Sequence, residues 1–376
     1  MGGEMVSEKL SCTASKADDE VVDIICKAVL EAATIPCGMA RCTAGKLEKN
    51  DFSICFPLDL YDVNGRTKKR SLYVKIPKDD LYKRREREIM PLTDRDRTSG
   101  RKEYESLLFL NSIEKTWGDG LEFVKPVLFF DDYNAIVTER VFGRDLLIPF
   151  RKEVLKDRIL HLQCGTFIRD SLFLLGRVVS AYHRRTQREI SPDWGKVFEK
   201  IEKYGTLLKN YSSADDLPVL FQGLRRSMEE AIPRSVTVKT LKGLDVRNVL
   251  IDEAGGMVVL DPGRMKDDCP EADLARFIVT CRIIFWGSMW FFIRLTPDAA
   301  YEGSFLEGYK SYGGKFDQKL LRVHIIKELA KHWYLAHVAL DLKNWSYVLK
   351  KMLRAIYINP FYKFQLMKEV LYAISA

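Results

Sequence analysis

From residue 18 to 33, DDEVVDIICKAVLEAA spaces its apolar residues three and four apart and puts acids in the first turn, the pattern of an amphipathic helix. The period then changes. MARCTAG (39–45), SICFPLDL (53–60) and SLYVKIP (71–77) read as strands, and Asn64-Gly65 between the last two is a hairpin signal. A polar, basic segment runs from Lys78 to Lys102, followed by a helix over EYESLLFLNSI (103–113). FVKPVLFFDD and NAIVTERVFG predict paired strands around Asp132-Tyr133. Helical periodicity dominates from about 150 to 232, with a loop at YSSADDLP. A β interlude, SVTVKTLKGLDVRNVLIDEAGGMVVLDPG (235–263), turns at Gly255-Gly256, and from Asp273 onward the chain reads helical.

This order predicts an α+β chain of two lobes. An N-terminal extension with a helix (1–37) precedes a small antiparallel-sheet N-lobe with one helix (38–145). A connector near 139–145 leads to a large, mainly helical C-lobe (146–376) carrying one β insert. A cleft between two lobes is a natural place for a ligand. Composition supports a folded chain: 376 residues with 47% hydrophobic content exclude disorder as the main state. No solenoid or propeller period is visible. The eight cysteines form no CxxC pair, and the five histidines lack ligand spacing. A reduced, cytoplasmic protein is therefore expected rather than a zinc or disulfide scaffold. MGGEMVSEKL lacks a signal peptide's apolar stretch, and Val6 stands where a myristoylation signal needs Ser or Thr.

Several local patterns bear on chemistry. Lys75 closes the strand LYVKIP, Glu103 and Glu105 open the helix that follows, and Asn248 (NVLID) and Asp261 (VVLDPG) flank a hairpin. An amide oxygen and a carboxylate are hard ligands suited to Mg²⁺. Taken singly, each has a plainer reading: a snorkelling strand lysine, a first-turn helix acid, an Asn or Asp at a turn. Together with ADLARF and LGRVVSAYHRR, and over roughly residues 38–310, the order resembles the aminoglycoside phosphotransferase and choline kinase-like family, small-molecule kinases with a protein-kinase-like fold. The resemblance implies that Lys75 pairs with the phosphates of ATP, that Glu103 orients it, and that Asn248 and Asp261 hold Mg²⁺. It also implies that Glu139 and Val141, in VTERVFGRDL, offer backbone hydrogen bonds to the adenine. Asp273 would brace the catalytic loop, and His183 reads as a packing histidine rather than a base.

The chain departs from the family at the catalytic segment. The family places an Asp five residues before the metal Asn, and that position is Gly243, within Leu241-Lys242-Gly243. Asp245, three before Asn248, is the nearest carboxylate and the candidate base. The phosphate-covering loop, AGKLEKNDF, offers only Gly45.

Net charge is +8, and it is unevenly spread. Residues 66–102 hold fourteen Lys/Arg against six acids, including KRRER at 83–87, and residues 294–376 hold thirteen against seven. Either these are solvated faces, or they meet an anionic substrate or an anionic membrane. FIVTCRIIFWGSMWFFI (277–293) is short for a span and carries Arg282, so it reads as a core helix, with Trp286, Trp290, Phe291 and Phe292 open to an interfacial role. The expected activity is transfer of the γ-phosphoryl group of ATP to a hydroxyl of a small molecule or glycan. A basic chain ill suits polycationic aminoglycosides, so a phosphorylated sugar, a nucleotide-linked sugar or a lipid-linked glycan fits better. The alternative is a nucleotide-binding pseudokinase acting as a scaffold or regulator at an anionic surface. No nucleic-acid motif is present. The expected location is the cytoplasm, with peripheral contact at the inner membrane face.

Overall fold

A computed structural model describes residues 16–32, 38–50, 52–78, 88–114, 121–159, 167–190, 193–211, 217–229, 236–252, 256–288 and 299–375. The KRRER run with Arg84 and Arg85, Gly255, Trp290, Phe291 and Phe292 lie outside the described residues. The chain divides into two compact units, residues 1–115 with 123–141, and residues 116–122 with 142–376.

The first unit contains α1 (Lys16–Glu31), β1 (Met39–Ala44), β2 (Glu48–Lys49), β3 (Ser53–Asp62), β4 (Lys68–Pro77) and α2 (Asp94–Glu114). After β5 (Leu121–Phe123), β6 (Pro126–Phe130) and β7 (Ala135–Glu139) complete an antiparallel sheet in the order β1-β3-β4-β7-β6, with β2 paired to β3. The β3–β4 hairpin turns at Gly65, whose φ is +65°. Alternation along β4 buries Leu72, Val74 and Ile76 in a core that also holds Val21, Ile25 and Val29 of α1. The first helix is thus part of the unit's core rather than an extension. Its buried Asp18 accepts hydrogen bonds from Ile89 N and Lys49 Nζ, fixing the helix start to two other segments.

The helix after the basic segment begins at Asp94, nine residues before the expected Glu103. Its first turns, DRDRTSGRK, carry no apolar stripe, which hid them from a periodicity argument. A capping box marks the true start: Asp96 Oδ2 accepts from Thr93 N at 2.9 Å, and Thr93 Oγ1 accepts from Asp96 N at 3.2 Å.

The second unit contains β8 (Gly143–Asp145), α3 (Leu147–Ile159), α4 (Phe167–Thr186), α5 (Trp194–Leu208), α6 (Leu217–Glu229), β9 (Val238–Thr240), β10 (Val249–Asp252), β11 (Met257–Val259) and β12 (Lys266–Asp268). Then come α7 (Pro270–Ser288), α8 (Ala299–Ser311), α9 (Gln318–Asp341), α10 (Tyr347–Leu353) and α11 (Asn359–Ser375), with a π-helical turn, Arg354–Ile358, before α11. The strands form a four-stranded sheet in the order β5-β11-β10-β8 and the pair β12-β9. Helix α7 is buried on nearly every side, from Ala272 to Phe285, as a core helix should be. Each large side chain it buries contributes about 1.5–3 kcal/mol. Arg282 within it is held by Glu302 and by Glu369, the latter at 2.8 Å. Among the described residues no helix is long and apolar enough to cross a membrane.

Candidate active site

In the first unit, strand alternation turns Lys75 to the face opposite the α1 core. Helix α2 lies on that face, where Leu107, Val124 and Ile136 form a second small core with Tyr104, Phe129 and Val141. Tyr104 stacks on Phe129 at 5.1 Å between centroids. This packing places Glu103 inward and leaves its competitor Glu105 exposed. The Lys75 ammonium meets Glu103 Oε1 at 2.6 Å, in a half-buried setting where such a pair is screened far less than at the surface. At the end of β7, Glu139 N–H donates to Lys125 O, and the Glu139 side chain accepts from Arg70 Nε at 3.1 Å. The Val141 side chain anchors the following residues to the second core. The Gly45 loop is drawn in by a hydrogen bond from Gly45 N to Pro57 O at 2.8 Å.

In the second unit, β10 and β11 pair Val249 with Val259, and Leu260 N donates to Asn248 O at 2.8 Å. That register brings Asn248 and Asp261 to the same end of the hairpin. Asn248 Nδ2 donates to Gly243 O at 2.8 Å, which commits the amide nitrogen and leaves Oδ1 as the atom suited to a metal. Asp261 Oδ1 accepts from Gly263 N at 2.9 Å, a tight turn made possible by φ +63° at Gly263. One amide oxygen and one carboxylate fit Mg²⁺, which prefers few protein oxygens and keeps waters or phosphates for the rest.

Gly243 lies directly against the Asp261-Pro262-Gly263 turn. Its N–H donates to Pro262 O at 3.0 Å, and a Cβ added there would sit 1.9 Å from Asp261 O. No side chain fits in this loop conformation, so glycine here is a packing requirement as well as a missing carboxylate. Asp245 is 7% exposed and caps the 3-10 turn Val246–Asn248. Its Oδ1 accepts from Arg247 N at 2.9 Å and from Arg247 Nε at 3.0 Å, while Oδ2 is engaged by Arg247 Nη2. Both oxygens of the expected base are therefore held by one neighbouring guanidinium.

The segment before Gly243 is held from α7. Asp273 is fully buried and its Oδ2 accepts from Leu241 N at 2.6 Å, the bracing role its motif implied. His183 bridges Asp273 Oδ2 at 3.2 Å and the Tyr309 hydroxyl at 3.0 Å, which makes it a structural histidine. Sequence reasoning missed Arg276, whose Nη1 reaches both Leu241 O at 3.0 Å and Asp273 Oδ1 at 3.2 Å. Its position one helical turn after Asp273 was the available signal.

Asp268 and its neighbour Cys269 also come together with the distant His324 in the second unit. His324 Nε2 lies 3.0 Å from Cys269 Sγ, and Nδ1 lies 2.9 Å from Lys327 Nζ. Burial, then the Lys327 charge, hold His324 well below its usual range, so the ring is neutral. An ammonium cannot accept, so Nδ1 accepts and Nε2 carries the proton toward sulfur. That tautomer offers a metal no lone pair at Nε2.

No protein-family model matches the chain, and no curated protein sequence does. Solved structures do. Choline kinase LicA from Streptococcus pneumoniae is 13% identical with a TM-score of 0.51, over 94% of this chain and 99% of that one. A streptomycin–ATP ternary complex of APH(2")-IIa is 10% identical with a TM-score of 0.51, over 95% and 97%. Amicoumacin kinase hAmiN with AMP-PNP, Ca²⁺ and Ami is 14% identical with a TM-score of 0.52, over 90% and 93%. At such identities the likeness is one of fold: this chain has the protein-kinase-like fold shared by choline kinase and aminoglycoside phosphotransferase structures.

Proposed function

We propose that the protein is an ATP-dependent phosphotransferase that moves the γ-phosphoryl group to a hydroxyl on a small molecule or glycan. The observation that carries this reading is the Lys75–Glu103 pair, a strand lysine oriented by a helix glutamate, within this fold. Lys75 holds the nucleotide phosphates and Glu103 fixes the ammonium. Glu139 and Val141 supply backbone partners for the base. Asn248 Oδ1 and Asp261 hold Mg²⁺, which when bound neutralises charge on the phosphate oxygens. In the transfer, the acceptor oxygen bonds to the γ-phosphorus as the bond to the β–γ bridging oxygen breaks, ADP departs, and the hydroxyl proton leaves. Asp245 serves as its acceptor only if Arg247 releases the carboxylate; otherwise the proton passes to water or to the transferred group. An anionic acceptor, such as a phosphorylated or lipid-linked sugar, suits the basic chain, and nucleic acid is not among the partners.

A second reading, a nucleotide-binding pseudokinase, is favoured by the closed packing at Gly243 and by the Arg247 hold on Asp245. Calorimetry with Mg-ATP and transfer from γ-labelled ATP to a panel of sugar and lipid acceptors test both. Binding with transfer supports the enzyme, and binding without transfer across the panel supports the pseudokinase. If folded protein binds neither ATP nor GTP, both readings are wrong.

A further inference from the structure

The last helices of the second unit carry a face that phosphoryl transfer does not use. From residue 342 to 368 the chain has six Lys/Arg and no Asp or Glu. Helix α10 within it buries no residue at all. Val348 and Met352 of α10 and Ile356 of the π-helical turn that follows recur every four residues and are 74%, 47% and 60% exposed, beside Tyr347 at 73%. Isolated exposed apolar residues are ordinary, but a run at helical spacing is a surface that something covers. The cations interleave with this run. Lys351 is exposed, Lys343 and Trp345 are at its N-terminal edge, and Lys363 is exposed on α11. Asp341, the acid just before the segment, is already taken up by Arg354, and Lys350 Nζ donates to its backbone carbonyl at 2.9 Å.

Beneath this face is a cavity of about 360 Å³ whose walls include Trp286, Ala336, Ala339, Trp345 and Tyr357, with Lys343 as its cation. Trp286 forms one rigid wall, stacked on Phe361 at 4.9 Å and on Tyr357 at 5.4 Å. Tyr357 and Ile358 reach the cavity from the π-helical turn, and such turns are frequent at functional sites. The volume lies at the lower end of the range that holds small ligands.

We propose that this face docks on an anionic lipid bilayer, with one acyl chain of an anionic lipid entering the cavity. Three features support a lipid surface together: an apolar stripe to insert, cations without acids to meet headgroups, and an apolar cavity with a lysine to take a chain. An acidic soluble protein would answer the charge but leave the cavity without an occupant. The inference does not depend on the chain being a kinase.

Flotation of the full-length protein with phosphatidylcholine vesicles, with and without phosphatidylglycerol, tests it. Binding is expected only with phosphatidylglycerol, weakening at least about tenfold between low and high salt. The double substitutions Lys351→Glu with Lys363→Glu, and Val348→Asp with Ile356→Asp, each lower binding about tenfold or more; melting temperatures near wild type show that these exposed changes spare the fold. Ala339→Trp, which fills the cavity, weakens binding while preserving its salt dependence. If that variant does not fold, quenching of Trp345 by lipids brominated along the chain reads the same insertion, as the signal lost in Trp345→Phe. Equal binding to neutral vesicles overturns the proposal. So does binding that survives both double substitutions and is lost with Arg84→Glu and Arg85→Glu, or salt-sensitive capture by polyglutamate without any vesicle binding.

Discussion

The two units hold their candidate site residues in different ways. In the first, Lys75 and Glu103 are held by regular structure: a central strand fixes one side chain, a helix packed on the same face fixes the other, and they meet at 2.6 Å. In the second, the metal-type pair Asn248 and Asp261 is also held by regular structure, the β10–β11 hairpin. The loop between Leu241 and Asn248 is different. It is braced by Asp273 and Arg276, pressed against the Asp261 turn at Gly243, and carries its only carboxylate tied to Arg247. The candidate nucleotide and metal residues are present, while the position where the resemblance expects a proton acceptor is filled by backbone. Under the proposed function this difference need not abolish activity, because phosphoryl transfer depends mostly on positioning and charge.

The largest expected effect lies with the kept groups. Mg-ATP should raise the melting temperature of the wild type, because a ligand of the folded state alone stabilises it. Asp261→Ala should remove the magnesium-dependent part of that shift entirely, and Lys75→Ala should weaken ATP binding with or without metal. A magnesium-dependent shift that persists in Asp261→Ala, read by differential scanning calorimetry, would break the assignment of Asp261 as a metal ligand.

Gly243→Asp sharpens the contrast further. Placed five residues before Asn248, it restores the family's carboxylate on paper. The structure gives it no room, since the new Cβ would meet Asp261 O at 1.9 Å. The expected result is a loss of about 3 kcal/mol of stability with weakened magnesium-dependent ATP binding, because the turn carrying Asp261 must move. Gly243→Ala should do nearly the same, since the clash begins at Cβ. Higher turnover in the Asp variant at unchanged stability would show that the loop opens readily and that close packing does not govern this position.

What the sequence revealed, and what it did not, follows the same division. The strand pattern of LYVKIP was enough to put Lys75 on a strand, and the hairpin signal was enough to juxtapose Asn248 and Asp261. The choice between Glu103 and Glu105 was open because both lie in the same turn of helix, and only packing of Leu107 and Tyr104 on the sheet decides which points in. Helix α1 looked like an extension because nothing local says that Ile25 and Val29 meet Leu72 and Val74. The tight approach of Gly243 to Asp261 O is a contact across eighteen residues with no pattern to announce it. Arg247 beside Asp245 reads in sequence as one more surface cation, and its chelation of the carboxylate is a property of the 3-10 turn.

The units should also differ in acid. All five histidines follow residue 160, so the first unit has none. Burial, then the Arg354 charge, push His337 down to about 4, and burial, then Lys331, push His332 down to about 4. Both are neutral when folded and gain protons more readily when unfolded, near the usual 6.5. Falling pH therefore favours the unfolded second unit from about 6.5 down to about 4, with no further loss from these groups below that. At pH 5 the cost is on the order of 2 kcal/mol for each histidine. Hydrogen exchange at pH 7 and pH 5 should show amides of α9 and α11 losing protection while those of β3 and β4 change little, and His337→Gln should blunt the loss. Equal loss of protection in both units would mean that the buried histidines are not its source.

The smallest expected effect is at Asp245, and it separates a structural carboxylate from a catalytic one. As observed, Asp245 caps a short turn and pairs with an exposed guanidinium. Asn can still accept from Arg247 N, so Asp245→Asn should cost about 1 kcal/mol or less, and ATP affinity should stay near wild type. If the carboxylate only caps, any phosphoryl transfer should persist within about threefold. If it is the base, turnover should fall by about two to four decades at unchanged ATP affinity. Arg247→Gln supplies the other arm. Freeing a catalytic Asp245 from its guanidinium should raise turnover or shift its pH dependence, whereas freeing a mere cap should only loosen the turn. The structure, with both Asp245 oxygens held by Arg247, favours the cap, and a large selective loss in Asp245→Asn would reverse that reading.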